Sequence, residues 1–479
     1  MNARFLSSLV VNLVMVMATA TATAIAQALP PEVDAALARA KVPRDAVSIL
    51  VIDAQGKAPA RISHRAGVAM NPASLMKLVT TYAALDVLGP AFTWTTPVYV
   101  EGAVRDGTLF GNLYIKGQGD PKLVSERLWL LLRRVQGLGV KTIAGDIVLD
   151  KSAFENVEID PSLFDGEPLR PYNAAPDALL LNFKAVVMTF VPDRTANTAQ
   201  VQFEPPLAGV QMQHSVALSD APCSDYRTAL KADFSDPASI RFNGAYPASC
   251  GEKVWGVAYA DPKTYATRAI EGMWREIGGR LAGSVRYGTV PTTLARPTFE
   301  VSSPPLPEVI RDINKYSNNV MAQQLFLSLS LQPKSAGSAA AVATLAASRD
   351  VIQRWWRSSI SADDVPVLDN GSGLSRTERI SANALGKLLQ SAYASPVMPE
   401  LMSFLPITGV DGTLRGRRGA ARGSAHLKTG TLRDVTGVAG YVLANSGKRY
   451  VVVMIINQSG AASARTAIDA VLDWVIKDN

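Results

Sequence analysis

The chain closes with three consecutive strand patterns and has no fourth beside them in sequence. Ala425–Thr431, Thr436–Ala444 and Arg449–Asn457 read as strands, with Asn445-Ser446-Gly447 as the turn of the last hairpin and an amphipathic helix, Ala464–Ile476, behind them. Three strands alone leave long edges unpaired, which a folded chain must cover. At the other end, Ala46–Asp53 and Ala58–His64 form a second hairpin pattern around Ala54-Gln55-Gly56. We expect the two ends to join in one five-stranded antiparallel sheet with helices on its faces. Most of what lies between is then an insertion.

The N-terminal hairpin runs straight into a short helix. Asn71 fits its N-cap and Pro72 its first position. Leu75, Leu78, Val79, Tyr82, Leu85 and Leu88 make one apolar face, and Gly89-Pro90 ends the helix. Ser74 and Lys77 stand three apart on this helix, so they are neighbours. A hydroxyl beside an amine at the mouth of a buried helix builds a nucleophile without histidine.

After residue 91 the pattern changes. Thr95–Val104 and Thr108–Lys116 read as strands, Ser125–Val135 as an amphipathic helix and Thr142–Asp150 as a strand. A similar strand-helix-strand order returns at Val254–Ala258, Pro262–Ile277 and Leu281–Thr289, and the hundred residues between are richer in short strands and turns. From about Ser302 helices dominate: Pro307–Lys315, Val320–Leu331 and Ser338–Ser359, the last with Gly337 ahead of it. The expected division is a catalytic domain from 29–91 and 301–479, an inserted α+β domain from 92–160 and 253–300, and a nested β-rich domain from 161–252.

Residues 1–28 stand apart. Arg4, an apolar run from Phe5 to Met17 and the small residues up to Ala26-Gln27-Ala28 give the three regions of a secretory signal peptide. We expect export, to a periplasm, with a mature chain starting near Leu29; an uncleaved N-terminal anchor is the other reading. About 450 residues then remain, enough for two or three domains. Cys223 and Cys250 are the only cysteines and read as a disulfide in an oxidising compartment. The formal charge of +7 is modest at this length and no basic cluster is interleaved with aromatics, which argues against nucleic acid as a partner. The three histidines, His64, His214 and His426, show no metal-ligand spacing, so no metal or other cofactor is expected.

Three short signals fall in the segments assigned to the discontinuous domain. They are Ser74-x-x-Lys77 on the helix, Ser317-Asn318-Asn319 at a break between helices, and Lys428-Thr429-Gly430-Thr431 on a strand. In this order and these local structures they resemble the motifs of the penicillin-binding protein and serine β-lactamase superfamily. Further stretches resemble one branch, the class C, penicillin-binding protein 4-type D-alanyl-D-alanine carboxypeptidases/endopeptidases. Residues 74 and 317 lie 243 positions apart, matching that branch's large insertion. Asp369-Asn370-Gly371-Ser372-Gly373-Leu374-Ser375-Arg376 is similar to its DGSGLSR loop with an added Asn, and Asp411-Gly412-Thr413-Leu414-Arg415 also fits.

The resemblance implies a transpeptidase/β-lactamase-like α/β fold and a serine hydrolase acting on peptidoglycan stem peptides and their cross-links, with β-lactams as covalent inhibitors. Ser74 would attack the D-Ala-D-Ala peptide bond. Lys77 would take its proton, made partly neutral by desolvation and by the Lys428 charge. Ser317 would relay a proton to the leaving amine, Asn319 would hold Lys77 and the substrate backbone, and Lys428 and Thr429 would hold the terminal carboxylate. Gly430 would let substrate lie against the strand, and the N–H groups of Ser74 and Thr431 would form the oxyanion hole. Arg376 would meet a side-chain carboxylate of the stem peptide, or else tie down its own loop. Leu163–Ala178 does not match the branch's pattern well enough to place a recognition residue. Two competing functions remain at this point: a β-lactamase, against which the long insertion argues, and a non-catalytic cell-wall scaffold, against which Ser74, Lys77 and Lys428 argue.

Overall fold

The computed structural model describes residues 29–156, 159–331 and 342–478. In it, the two ends of the chain meet in one antiparallel sheet. Its strand order is Ile62–His64, Val47–Asp53, Arg449–Asn457, Val435–Leu443, Ala425–Leu432. The join between the chain ends is the seven-residue pairing from Val47↔Ile456 to Asp53↔Tyr450. Val435–Leu443 and Arg449–Asn457 are almost wholly buried, because helices cover both faces of the sheet. Arg465–Lys477 and Pro31–Arg39 pack on one face through Val33, Leu37, Ile468, Val471 and Val475. Met76–Leu88, Leu306–Tyr316, Asn319–Ser328 and Ala382–Ala394 pack on the other.

The Met76–Leu88 helix is the centre of that second layer. Every residue from Met76 to Leu85 is buried, not just the expected stripe. Its polar residues survive burial because each has a partner. The Thr80 hydroxyl donates to the Gly371 carbonyl at 2.6 Å, and that of Thr81 donates to the Lys77 carbonyl at 2.7 Å. Gly89 ends the helix at φ 80°, as expected.

In the inserted segment, four of the expected strands are cut in two. Thr95–Val100 and Leu113–Lys116 join a five-stranded sheet with Ile147–Asp150, Val285–Tyr287 and Phe299–Ser302. Their continuations, Ala103–Arg105, Thr108–Phe110, Thr142–Ile143 and Arg280–Leu281, form a separate four-stranded sheet. A glycine marks each crossing: Gly102, Gly111, Gly145 and Gly283. A Cβ on Gly111 would sit 1.9 Å from the Glu101 carbonyl oxygen, and one on Gly283 would sit 2.4 Å from that of Gly145. The strands thus change sheet where their backbones touch, which only glycine permits.

Two further expectations are corrected. Lys253–Ala258, read as part of the repeated strand-helix-strand unit, pairs with Ala185–Asp193 in the nested region's sheet. The helix expected over Ser338–Ser359 begins at Leu345, capped by the Thr344 hydroxyl. Ala343 lies outside it and bridges to Phe154. The start of that expected helix, like the leader over residues 1–28, lies outside the described residues.

The nested region is closed by the Cys223–Cys250 disulfide, which spans 27 positions. A loop of this size is worth about 3 kcal/mol to the region it closes. We expect reduction, or the double substitution by alanine, to lower the melting temperature of that region while the sheet built from the chain ends stays intact. Hydrogen exchange resolved by peptide separates the two; equal loss of protection in both would contradict it.

Candidate active site

The turn that carries Ser74 is held from three sides. The Asn71 side-chain carbonyl accepts the Ala73 N–H at 2.9 Å, and Asn71 exchanges two hydrogen bonds with the Asn457 side chain at 2.8 and 3.0 Å. Ala73 has φ 48°, so no α-helix passes through it. The α-helix therefore starts at Met76 after one 3₁₀ turn over Ala73–Leu75, not at Pro72; Pro72 stands at the N-cap of that turn, and Asn71 holds the turn from outside it. A Cβ on Gly373 would lie 2.0 Å from the Ala73 carbonyl oxygen, and one on Gly430 2.6 Å from that of Pro72. These two glycines let a loop and a strand clamp the turn, so the bare face of Gly430 meets this backbone.

Lys77 is fully buried one turn below Ser74. Its Nζ lies 2.9 Å from the Ser74 hydroxyl and 2.6 Å from the Asn319 side-chain oxygen, and it also donates to the Ser372 carbonyl. These acceptors are uncharged. Burial, aided by the Lys428 charge, drives the Lys77 pKa well below the ordinary lysine value, with Glu378 opposing. Lys428 is also fully buried and donates to the Ser317 hydroxyl and the Thr429 carbonyl, both at 2.8 Å. Burial pushes its pKa down to about 7. Such an amine is partly neutral near pH 7 and can take a proton from a bonded hydroxyl.

Ser317 ends the Leu306–Tyr316 helix in the left-handed conformation, φ 56° and ψ 39°. That turn swings its hydroxyl to Lys428, while Asn318 caps the next helix by accepting the Met321 N–H at 3.0 Å. Asn319 opens that helix and reaches back to Lys77. The helix is fixed to the inserted segment by Gln324, whose side chain accepts the Asp177 N–H and donates to the carbonyls of Asp177 and Gly119. Asp177 in turn pairs with Lys151 and Lys184, both at 3.0 Å.

Ala425–Leu432 is an edge strand. The Leu427 N–H leaves the sheet to bond Pro406, so by alternation the N–H groups of Thr429 and Thr431 also point outward. Both threonines line a cleft of about 1180 Å³ together with Ser74, Ser317 and Asn319. Five of the expected residues are thus linked by direct bonds in two groups, the trio Ser74–Lys77–Asn319 and the pair Ser317–Lys428. Arg376 is not on this wall. It is exposed, lies 4.4 Å over the Phe164 ring, and lines a neighbouring depression with Asn71, Arg433 and Asn457. His426 is half-buried and bonds the Met402 carbonyl, in keeping with a structural part.

For several members of the site no role could be read from the sequence. Ser372 contributes a backbone carbonyl, which any residue could. Thr413 shares a 2.8 Å hydrogen bond with Thr429 from the Asp411–Arg415 segment that the resemblance had marked. Tyr172 and Phe183 bring the inserted segment to the cleft wall, and Arg418 and Arg465 also line it.

A profile of the family described as D-Ala-D-Ala carboxypeptidase 3 (S13) matches residues 29–477. The chain belongs to the S13 family. As an S13 D-Ala-D-Ala carboxypeptidase, it is a serine peptidase and a hydrolase. It is 26% identical over 397 residues to the D-alanyl-D-alanine carboxypeptidase DacB of Haemophilus influenzae, covering 81% of this chain and 80% of that one. It is 28% identical over 421 residues to the D-alanyl-D-alanine carboxypeptidase of Actinomadura sp., covering 85% and 76%. Its fold matches the crystal structure of penicillin binding protein 4 from Haemophilus influenzae with a TM-score of 0.70 at 22% identity, over 93% of this chain and 99% of that one. The penicillin-binding protein 4-type fold expected from the motifs is therefore the fold of this S13 chain.

Proposed function

We propose that this carboxypeptidase acts in the periplasm through an acyl-enzyme on Ser74, cuts D,D-cross-links as well as terminal D-Ala, and is inhibited by penicillins. One observation carries the reading: the Ser74 hydroxyl sits 2.9 Å from the amine of a fully buried lysine, on a cleft shared with the Ser317–Lys428 pair.

Lys77 takes the Ser74 proton as the oxygen attacks the carbonyl carbon of the D-Ala-D-Ala bond. The oxyanion forms between the N–H groups of Ser74 and Thr431, each worth about 3 kcal/mol. Ser317, polarised by Lys428, passes a proton to the leaving amine. Water then hydrolyses the ester and restores both groups. Lys428 and Thr429 hold the terminal carboxylate, with Asn319 steadying Lys77 and the substrate backbone. A cross-link differs only in the amine that leaves, and the open cleft has room for it. A β-lactam offers a strained amide beside a carboxylate, so it takes the same path and stops at the ester.

Arg376, beside Arg433, is our candidate for a side-chain carboxylate of the stem peptide. Export rests on the leader pattern of residues 1–28 and on the disulfide, which suits an oxidising compartment. Among the described residues, no helix is long and apolar enough to cross a membrane.

Incubation with a labelled penicillin, followed by mass mapping, tests the reading. The label is expected on Ser74 alone, and Ser74→Ala should take up none. A label elsewhere, or none on the wild-type protein, would end it.

A further inference from the structure

Glu378 lies below the active site and is completely buried. One carboxylate oxygen accepts the N–H groups of Asp369 and Gly371, at 3.1 and 2.9 Å. The other, Oε2, is buried with no hydrogen-bond partner among the described residues. The segment that Glu378 holds is the one that grips the nucleophile helix. Its Gly371 carbonyl accepts the Thr80 hydroxyl and its Ser372 carbonyl accepts the Lys77 amine. A loop tied by backbone alone would not need an acid here. Gln offers the same acceptor without the cost of burying a charge.

We propose that Glu378 is a positioning residue for acylation: it sets the Ser372 carbonyl against Lys77 and supplies the buried negative charge that faces the ammonium formed there. The inference rests on the assignment of Ser74 and Lys77 made above. In that step the Ser74 proton passes to the neutral Lys77 amine, and the oxygen's electron pair forms the new bond to the carbonyl carbon. A new positive charge then appears in a site already holding Lys428. An ionised Glu378 offsets it. Among the described residues, the charged groups near Glu378 include Asp369, Lys77, the Arg379 guanidinium, which donates to the Glu378 backbone carbonyl, and the Arg349 guanidinium, which donates to the Asp369 carbonyl; Lys428 acts on Lys77. Burial pushes the Glu378 pKa up to about 7, against the pull of its two N–H donors and of Lys77, so its charge changes in the range where the enzyme works.

The test is the pH profile of the second-order rate of Ser74 acylation by a labelled penicillin, for wild type, Glu378→Gln and Glu378→Asp. Acylation then needs Lys77 unprotonated and Glu378 ionised, so the wild-type acid limb should need two protonation steps. Glu378→Gln should leave one, moved about one pH unit lower because the ammonium has lost its counter-charge, with a plateau about tenfold lower. Glu378→Asp keeps a carboxylate and should retain the two-step limb even if its shorter reach slows the reaction. If Glu378→Gln fails to fold, Glu378→Asn gives the neutral profile. Any neutral variant whose limb overlays the wild type, with or without a uniform loss of rate, would make Glu378 a loop anchor only and overturn the proposal. An Asp variant that shifts as Gln does would also overturn it. A label on Ser74 in these failures leaves the acyl-enzyme reading standing, whereas no Ser74 label in wild type removes both.

Discussion

Replacing Lys77 by methionine should leave a folded protein whose acylation by a penicillin is slower by about 10³-fold at pH 8. Among the described residues, the amine is the only basic group bonded to the Ser74 hydroxyl, at 2.9 Å, and methionine keeps its length and apolar stem without the nitrogen. The sign of the pH effect also follows. The Lys77 pKa is lowered by burial and by Lys428, so wild-type acylation should rise with pH as the amine loses its proton, well below the usual lysine range. The methionine variant should show no such limb. Arginine at this position would stay charged and be at least as slow. The measurement is stopped-flow acylation between pH 5 and 10, with circular dichroism confirming the fold. A Lys77→Met protein within tenfold of wild type, or one keeping the acid limb, would move the base to Ser317 and Lys428.

The chain ends were readable because each strand there carries its own local signal. Val435–Leu443 and Arg449–Asn457 are long apolar runs with a clear turn before Arg449, and sheet closure required the N-terminal hairpin. Ser74, Lys77, Ser317, Asn319 and Lys428 were picked out by the resemblance of three short motifs to a known set, since each motif alone is a common helix start, helix break or strand end; the fold brings them to one cleft. What sequence could not give is contact between distant backbones. Ser372 acts through a carbonyl, and nothing in its side chain marks that. Glu378 looks like any loop acid until Asp369 and Gly371 fold around it. The inserted strands looked continuous because the glycines that break them act on a neighbouring strand's backbone, not on their own run. Asn71 and Pro72 carried the marks of an ordinary helix start. The left-handed Ala73 that overrides them is imposed by Gly373 and Gly430, some 300 or more positions away in sequence.

Lys428→Met should lower kcat/KM on a D-Ala-D-Ala peptide by about 10²- to 10³-fold and yet make the protein more stable at pH 7. The activity loss follows from removing both the group that polarises Ser317 and the charge proposed to meet the substrate carboxylate. The stability gain follows from linkage. Folding lowers the Lys428 pKa from 10.5 to about 7, so between these values the unfolded chain binds the extra proton. Stability therefore rises with pH across that window, and the burden is complete at and below about pH 7. It is on the order of 4 kcal/mol there, from which the loss of the Ser317 and Thr429 hydrogen bonds takes about 1 kcal/mol each. A net gain of about 2 kcal/mol is expected at pH 7, shrinking towards zero or below by pH 10, where the wild-type amine is neutral when folded. Urea unfolding at both pH values measures it. A variant that is less stable than wild type at pH 7, or that gains equally at both, would mean that Lys428 is held charged at little cost, and that the site pairs its two lysines by some arrangement other than shared desolvation.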